Sequence, residues 1–247
     1  MTSPGPQLDW LRAFLPLGGM EGDSWRPIGG GFLLLERPVA WLVTARSVLD
    51  GLEGRHLVTW VASQKGAGLL DVTDSQRQLG IDWIHHPTGL SATLFPIHES
   101  FSIKAFTETQ CTRLRDLQPL QPSASVGCPY GADINAPHLS PAVHDGVISF
   151  VDARSGFLYS TAPLLPRNAG APLLLASPYG GAVTLAGILL GNTMLGETDP
   201  RVLPVRLSRA ICVDAVLELI RGEAAADQRH RATEKREANA EPGKERL

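Results

Sequence analysis

Cysteine is scarce in this 247-residue chain, which has three, Cys111, Cys128 and Cys212, far apart in sequence. That excludes a disulfide framework and a zinc knuckle, and leaves buried, reduced thiols as the expectation, in keeping with a reducing compartment. An excess of one charge is also lacking. A net charge of −3 offers no bulk attraction to nucleic acid or to an anionic membrane. No apolar run approaches the length of a membrane span. The opening "MTSPGPQLDWLRAFLPLGG" lacks the basic n-region of a signal peptide, and Asp9, Arg12 and Pro16 interrupt its apolar residues. A cytoplasmic location with no membrane partner is therefore expected. Metal and cofactor signals are missing too. His85 and His86 have no third ligand at a telling spacing, and "GGG" at 29–31 lacks the Lys-Ser/Thr of a phosphate loop.

What the chain does have is apolar material, 43% of its residues, enough for one large domain or two lobes that share an interface. Residues 8–15 carry a short helical pattern. From about 26 to 213 many short leucine-rich or β-branched runs follow, among them "GFLLLE", "AWLVTA", "HLVTWVA", "DGVISFVD" and "AVTLAGILLG". Gly, Pro, Asn and Asp separate them, which predicts an all-β sandwich or barrel. Proline-rich sequence within 112–125 reads as a connection between two groups of strands. Val213, Val216, Leu217 and Ile220 then recur at helical spacing and predict a terminal helix with one buried face. The expected organisation is an N-terminal segment over 1–25, a main domain over 26–220, and a charged, flexible tail over 221–247, a solvated helix extension that frays into disorder.

Five stretches can be read together. "GGGFLLLERPVAWLVTARSVLDG", "WIHHPTGLSATLFPI", "VGCPYG" with "SPAVHDGVIS", "STAPLLPRNAGAPLLL", and "GAVTLAGILLG" occur in that order. Together they resemble the segments of bacterial trypsin-like (HtrA-like) serine peptidases over roughly residues 26–220. The resemblance implies a trypsin-like double antiparallel β-barrel with a C-terminal helix. It also assigns positions. Ser47 stands where the family has its catalytic histidine, and Ser91 where it has the orienting aspartate (a one-residue shift puts Leu90 there). Ala169 stands at the nucleophile, Arg167 at the first oxyanion glycine and Ala171 at the second glycine after the nucleophile.

Acyl transfer by such a set needs a hydroxyl, an imidazole to take its proton and a carboxylate to hold the imidazole. Ala169 has no nucleophilic atom, and the hydroxyl of Ser47 has no useful basicity at neutral pH. The expectation is a catalytically degenerate pseudoprotease that needs no cofactor and binds a protein or an extended peptide segment. Its candidate groove is lined by Leu189, Leu190, Gly191, Arg46 and Arg167, with the strand edge at 189–191 open to peptide addition. A regulatory partnership with an active enzyme is one such role. Two alternatives stay open: a hydrolase using a rebuilt set, for which His98 and Ser100 are the nearest candidates, and a structural subunit of an assembly.

Overall fold

Strand formation follows from how the apolar runs are buried. The computed structural model describes residues 13–63, 66–97, 101, 103–127, 141–175, 183–195 and 205–240. In the first half, β1 (Phe14–Glu21), β2 (Ser24–Glu36), β3 (Val39–Ala45), β4 (Leu57–Ser63), β5 (Gly66–Asp71), β6 (Ile84–His85), β7 (Leu90–Phe95) and β8 (Phe106–Thr107) make one sheet. Its order is β5-β4-β1-β2-β3-β7-β6, and β8 adds to β2 in parallel while the other pairs are antiparallel. In the second half, β9 (Pro122–Gly127), β10 (Ala142–Asp152), β11 (Phe157–Ser160), β12 (Pro172–Leu175), β13 (Thr184–Leu195) and β14 (Val205–Cys212) close into a six-stranded barrel. The chain is thus mostly β, with one closed barrel and a second sheet. Among the described residues, closure is seen in the C-terminal half alone.

β2 and β3 read as unbroken apolar runs because both of their faces are covered. Phe32, Leu34, Trp41 and Val43 point into a core shared with the barrel residues Leu173 and Ile188. Leu33, Leu42 and Ala45 point the other way, into a core with Leu15, Leu17, Leu57 and Val61. The sheet's central strands therefore belong to two cores at once. This places the end of β3 beside the barrel.

Both ends of the chain differ from the sequence expectation. The expected helix at 8–15 falls largely outside the described residues, but Phe14 and Leu15 lie in β1, so the first sheet begins well before residue 26. The cause is pairing: β1 matches β2 from Phe14↔Phe32 to Glu21↔Ser24, and this ladder overrides a weak helical pattern. At the other end, α3 (Val213–Arg221) buries Val213, Val216, Leu217 and Ile220 as its spacing predicts. The stretch after it, expected to be a solvated helix extension, is helical as α4 (Glu223–Ala240), but one of its faces is docked. Ala225, Gln228 and Ala232 are buried at helical spacing. The Gln228 Oε1 accepts the Asp82 N–H at 2.9 Å, and the Arg229 guanidinium lies 5.9 Å from the Trp41 ring centroid. Small side chains let this helix approach closely, which a search for large apolar residues misses. Among the described residues no helix is long and apolar enough to cross a membrane.

Docking of α4 leads to a stability prediction. Ala225→Asp should cost about 3 kcal/mol by burying an unpaired carboxylate. Glu237→Ala, on the exposed face of α4, should shift stability by less than about 0.5 kcal/mol. Urea midpoints of the two variants check this.

Candidate functional site

The stretch "PLLPRNAGA" forms a turn where the barrel meets the first sheet. Inside it, the Asn168 N–H donates to the Leu165 carbonyl at 3.2 Å and the Ala171 N–H to the Asn168 carbonyl at 3.1 Å. Arg167 and Gly170 both hold left-handed backbone, with φ of 68° and 83°. Backbone bonds then fasten the turn on both sides. The Ala169 carbonyl accepts the Gly30 N–H of β2 at 2.8 Å, and the Gly170 N–H donates to the Leu189 carbonyl of β13 at 2.7 Å. The Thr44 hydroxyl donates to the Gly30 carbonyl at 2.7 Å. Gly170 has no room for a side chain. A Cβ there would sit 2.2 Å from the Gly30 carbonyl oxygen and 2.4 Å from Thr44 Oγ1.

The strand leading into the turn is held by hydroxyls and an amide. Ser125 donates to the Pro163 carbonyl at 2.9 Å, Ser208 to the Ala162 carbonyl at 2.5 Å, and Asn192 to the Leu164 carbonyl at 3.1 Å. Ser123 and Ser160 share a hydrogen bond at 2.8 Å. The four serines are buried and Asn192 is exposed, and the bonds to Ala162, Pro163 and Leu164 satisfy backbone that strand pairing leaves free.

The structure gathers the predicted positions at this junction. Ser91 sits opposite Thr44 in the β3–β7 ladder, with Leu90 opposite Ala45. The Ala45 nitrogen lies 2.9 Å from where a Gly170 Cβ would be. Ser47 follows two residues later, exposed on the short helix α1 (Arg46–Asp50). Ala169, Ser47 and Ser91 thus all attach to one short segment around Thr44 and Ala45. Ala171 is fully buried in the shared core, so its methyl is accommodated rather than crowding the turn.

The groove residues are placed less simply. Arg46 and Arg167 are exposed. Leu189 is fully buried, and its N–H donates to the Ala171 carbonyl at 2.9 Å while its own carbonyl takes the Gly170 N–H. Its backbone is therefore unavailable to an added peptide, which corrects the expected edge at that residue. Leu190 is half-buried and packs on both cores. A bulge between Leu189 and Gly191 follows. From there to Leu195, β13 pairs with β14 on one side alone among the described residues. Strand alternation puts the backbone groups of Asn192 and Met194 on the open edge.

Two features of the site escape sequence reading. His85 Nδ1 lies 2.8 Å from the Ser91 hydroxyl, a contact made by the β6–β7 register. The Ser91 hydroxyl is fully buried, so this pair presents no nucleophile to solvent. Loss of solvent around the bonded edge of the His85 ring lowers its pKa, the Arg46 charge lowers it further, and Asp50 opposes both. Asn168, in the middle of the turn, is fully buried with neither side-chain polar atom hydrogen-bonded. It lies against Gly127, where a Cβ would come within 2.0 Å of its Oδ1.

Other reactive groups lie outside this site. The Cys111 thiol is pushed up to about 12 by burial, and burial raises that of Cys212 as well, so neither supplies a thiolate. Cys128, His98, Ser100 and His138 lie outside the described residues. His56, Asp71 and Asp74 bring ligand atoms within 4.8 Å of one another. Several of these atoms already have partners within the protein. Asp71 caps α2 (Val72–Leu79) through the Asp74 N–H at 2.9 Å and binds His56 at 2.8 Å, and Asp74 pairs with Arg77 at 3.3 Å.

Two predictions come from this geometry. Gly170→Ala should cost about 3 kcal/mol or more, because strain and a backbone clash combine, whereas Arg167→Gly should be neutral or stabilise by up to about 1 kcal/mol. Denaturation midpoints of the pair check the turn. His85 should titrate by NMR below the ordinary histidine value of about 6.5. An unfolded chain then takes up the proton first as pH falls. Its contribution is full above pH about 6.5 and is lost as pH falls from there to the folded value. Arg46→Gln should move the His85 midpoint upward. No family model matches this chain and no curated protein is significantly similar to it, so the chemistry of the site rests on its own atoms.

Proposed function

We propose that this chain is a non-catalytic binding module on a trypsin-like scaffold, which takes up a protein or extended peptide segment at the junction between its two β units. One observation carries the reading. The residue presented at the junction, Ala169, has no reactive side-chain atom, and its carbonyl is tied to Gly30. Among the described residues the one serine–histidine contact, Ser91 with His85, keeps its hydroxyl buried. Nucleophile, base and orienting carboxylate are all missing from the positions that the resemblance assigns. Removing such a unit leaves binding as the activity that the remaining geometry can support.

Peptide addition is supported by the edge of β13 beyond the bulge, where the backbone groups of Asn192 and Met194 have no partner among the described residues. Leu190 anchors both cores, so a charge there would unfold the protein rather than report on binding. Met194 is the better probe. Proline at that position removes one edge N–H and leaves the ladder to β14 intact.

A fluorophosphonate probe should label no serine in the folded protein, and stoichiometric labelling would sink the proposal. On a peptide array, Met194→Pro should reduce capture about fivefold or more without lowering the melting temperature, a loss of about one edge hydrogen bond. Unchanged capture would rule out strand addition at this edge and favour the structural-subunit alternative.

A further inference from the structure

The start of α2 gathers three ligand groups that the junction does not use. His56 precedes β4, and the β4–β5 ladder pairs Val58 with Asp71, so the hairpin register brings the imidazole to the end of β5. The first turn of α2 then adds Asp74. His56 Nδ1 lies 2.8 Å from Asp71 Oδ2 and 3.8 Å from Asp74 Oδ1, and each residue brings one ligand atom within 4.8 Å of the other two. Atoms so spaced all lie within roughly 2.8 Å of a common point, so sub-ångström shifts of the side chains reach first-row metal bonds of about 2.0–2.2 Å. The group is also held in place by bonds that leave these atoms usable. The other Asp71 oxygen, Oδ1, accepts the Asp74 N–H at 2.9 Å, which caps α2 and fixes the carboxylate with Oδ2 toward His56. The Thr73 hydroxyl accepts the Leu57 N–H at 2.9 Å and ties the start of β4 to the helix. Charge at the cluster favours a cation. Two carboxylates face one imidazole, and among the described residues Arg77, 3.3 Å from Asp74, is the one guanidinium paired with them. That pair is exposed and therefore weak, so an ion displaces it at little cost.

We propose that His56, Asp71 and Asp74 form a binding site for a first-row divalent transition metal ion, with zinc as the probe. One imidazole nitrogen with two carboxylate oxygens suits zinc and its first-row neighbours, whereas magnesium and calcium take all-oxygen sets. At 2.8 Å a single proton lies between His56 Nδ1 and Asp71 Oδ2, and the ion takes the place of that proton while drawing in Asp74. Three protein ligands leave the remaining coordination positions to water. Bound there, the ion fastens the lead into β4, the end of β5 and the first turn of α2 to one another. The site uses none of the junction residues, so it stands or falls separately from peptide binding.

The test is calorimetric titration of the full chain with zinc chloride at neutral pH, after treatment with EDTA and dialysis. Zinc should bind saturably, with a dissociation constant on the order of 10 μM. His56→Gln and Asp74→Asn should each weaken that binding about tenfold or more. Asp71→Asn should weaken it to a similar degree while keeping the helix cap, because asparagine caps as well as aspartate. Arg77→Gln removes the competing cation and should tighten binding about twofold or more. The melting temperature should rise saturably with zinc, and far less in His56→Gln. Absence of saturable binding overturns the site, as does an affinity unchanged in His56→Gln and Asp74→Asn, since zinc would then sit on other histidines or on thiols. Displacement of zinc by an equal concentration of magnesium would overturn the class of metal.

Discussion

The contact of Gly170 with the middle of β2 and the end of β3 governs the rest of the molecule. At that point the barrel and the first sheet come within backbone distance, with Gly30 bonded to Ala169 and Gly170 bonded to Leu189. Such bonds, shielded from water, are costly to break because each orphaned group keeps its desolvation penalty. They also fix register. If the turn moved, β13 would lose the bonds at Leu189 and β2 the bond at Gly30. The same contact sets where Ala169, Ser47 and Ser91 stand relative to one another. Geometry at the junction is therefore maintained by structural bonds that do not depend on a nucleophile.

The two cores make this contact possible. Alternate residues of β2 and β3 feed opposite sides of the first sheet, so the face carrying Phe32, Trp41 and Val43 can merge with the barrel core. α3 packs into that merged core, and α4 runs back to the first sheet to meet Trp41 and Asp82. Arg221, near the join of the two helices, reaches Glu36 at 3.1 Å and also pairs with Glu108. The C-terminal helices thus brace the sheet and the barrel from outside, while the Gly170 turn links them from within.

Much of this was legible in the sequence, for definable reasons. Strands β2, β3, β13 and β14 announce themselves because continuous or alternating apolar residues report burial directly. β1 was not legible, since Pro16 and two glycines dilute its pattern and pairing with β2 decides its state. The docking of α4 was not legible because Ala225, Gln228 and Ala232 dock by being small or amidic. The engagement of Leu189 was hidden for another reason. A strand edge is open or closed according to what the rest of the fold lays against it, which no local pattern states. The Ser91–His85 contact is similar, since six residues of separation become 2.8 Å only through a particular hairpin register.

The cost carried by the turn bears on what it is for. An arginine in left-handed backbone costs on the order of 1–2 kcal/mol, and a buried, unpaired amide such as Asn168 a further 1–3 kcal/mol or so. Both costs are offset by the bonds to Gly30 and Leu189, which require this turn conformation. Among the described residues the N–H groups of Arg167 and Ala169 make no hydrogen bond. Catalysis could use such donors only with a nucleophile and a base beside them. Ala169 offers no hydroxyl beside these donors, and His85 bonds a buried serine. The turn conformation is thus set by the backbone bonds that join the barrel to the first sheet, not by a reactive side chain at Ala169.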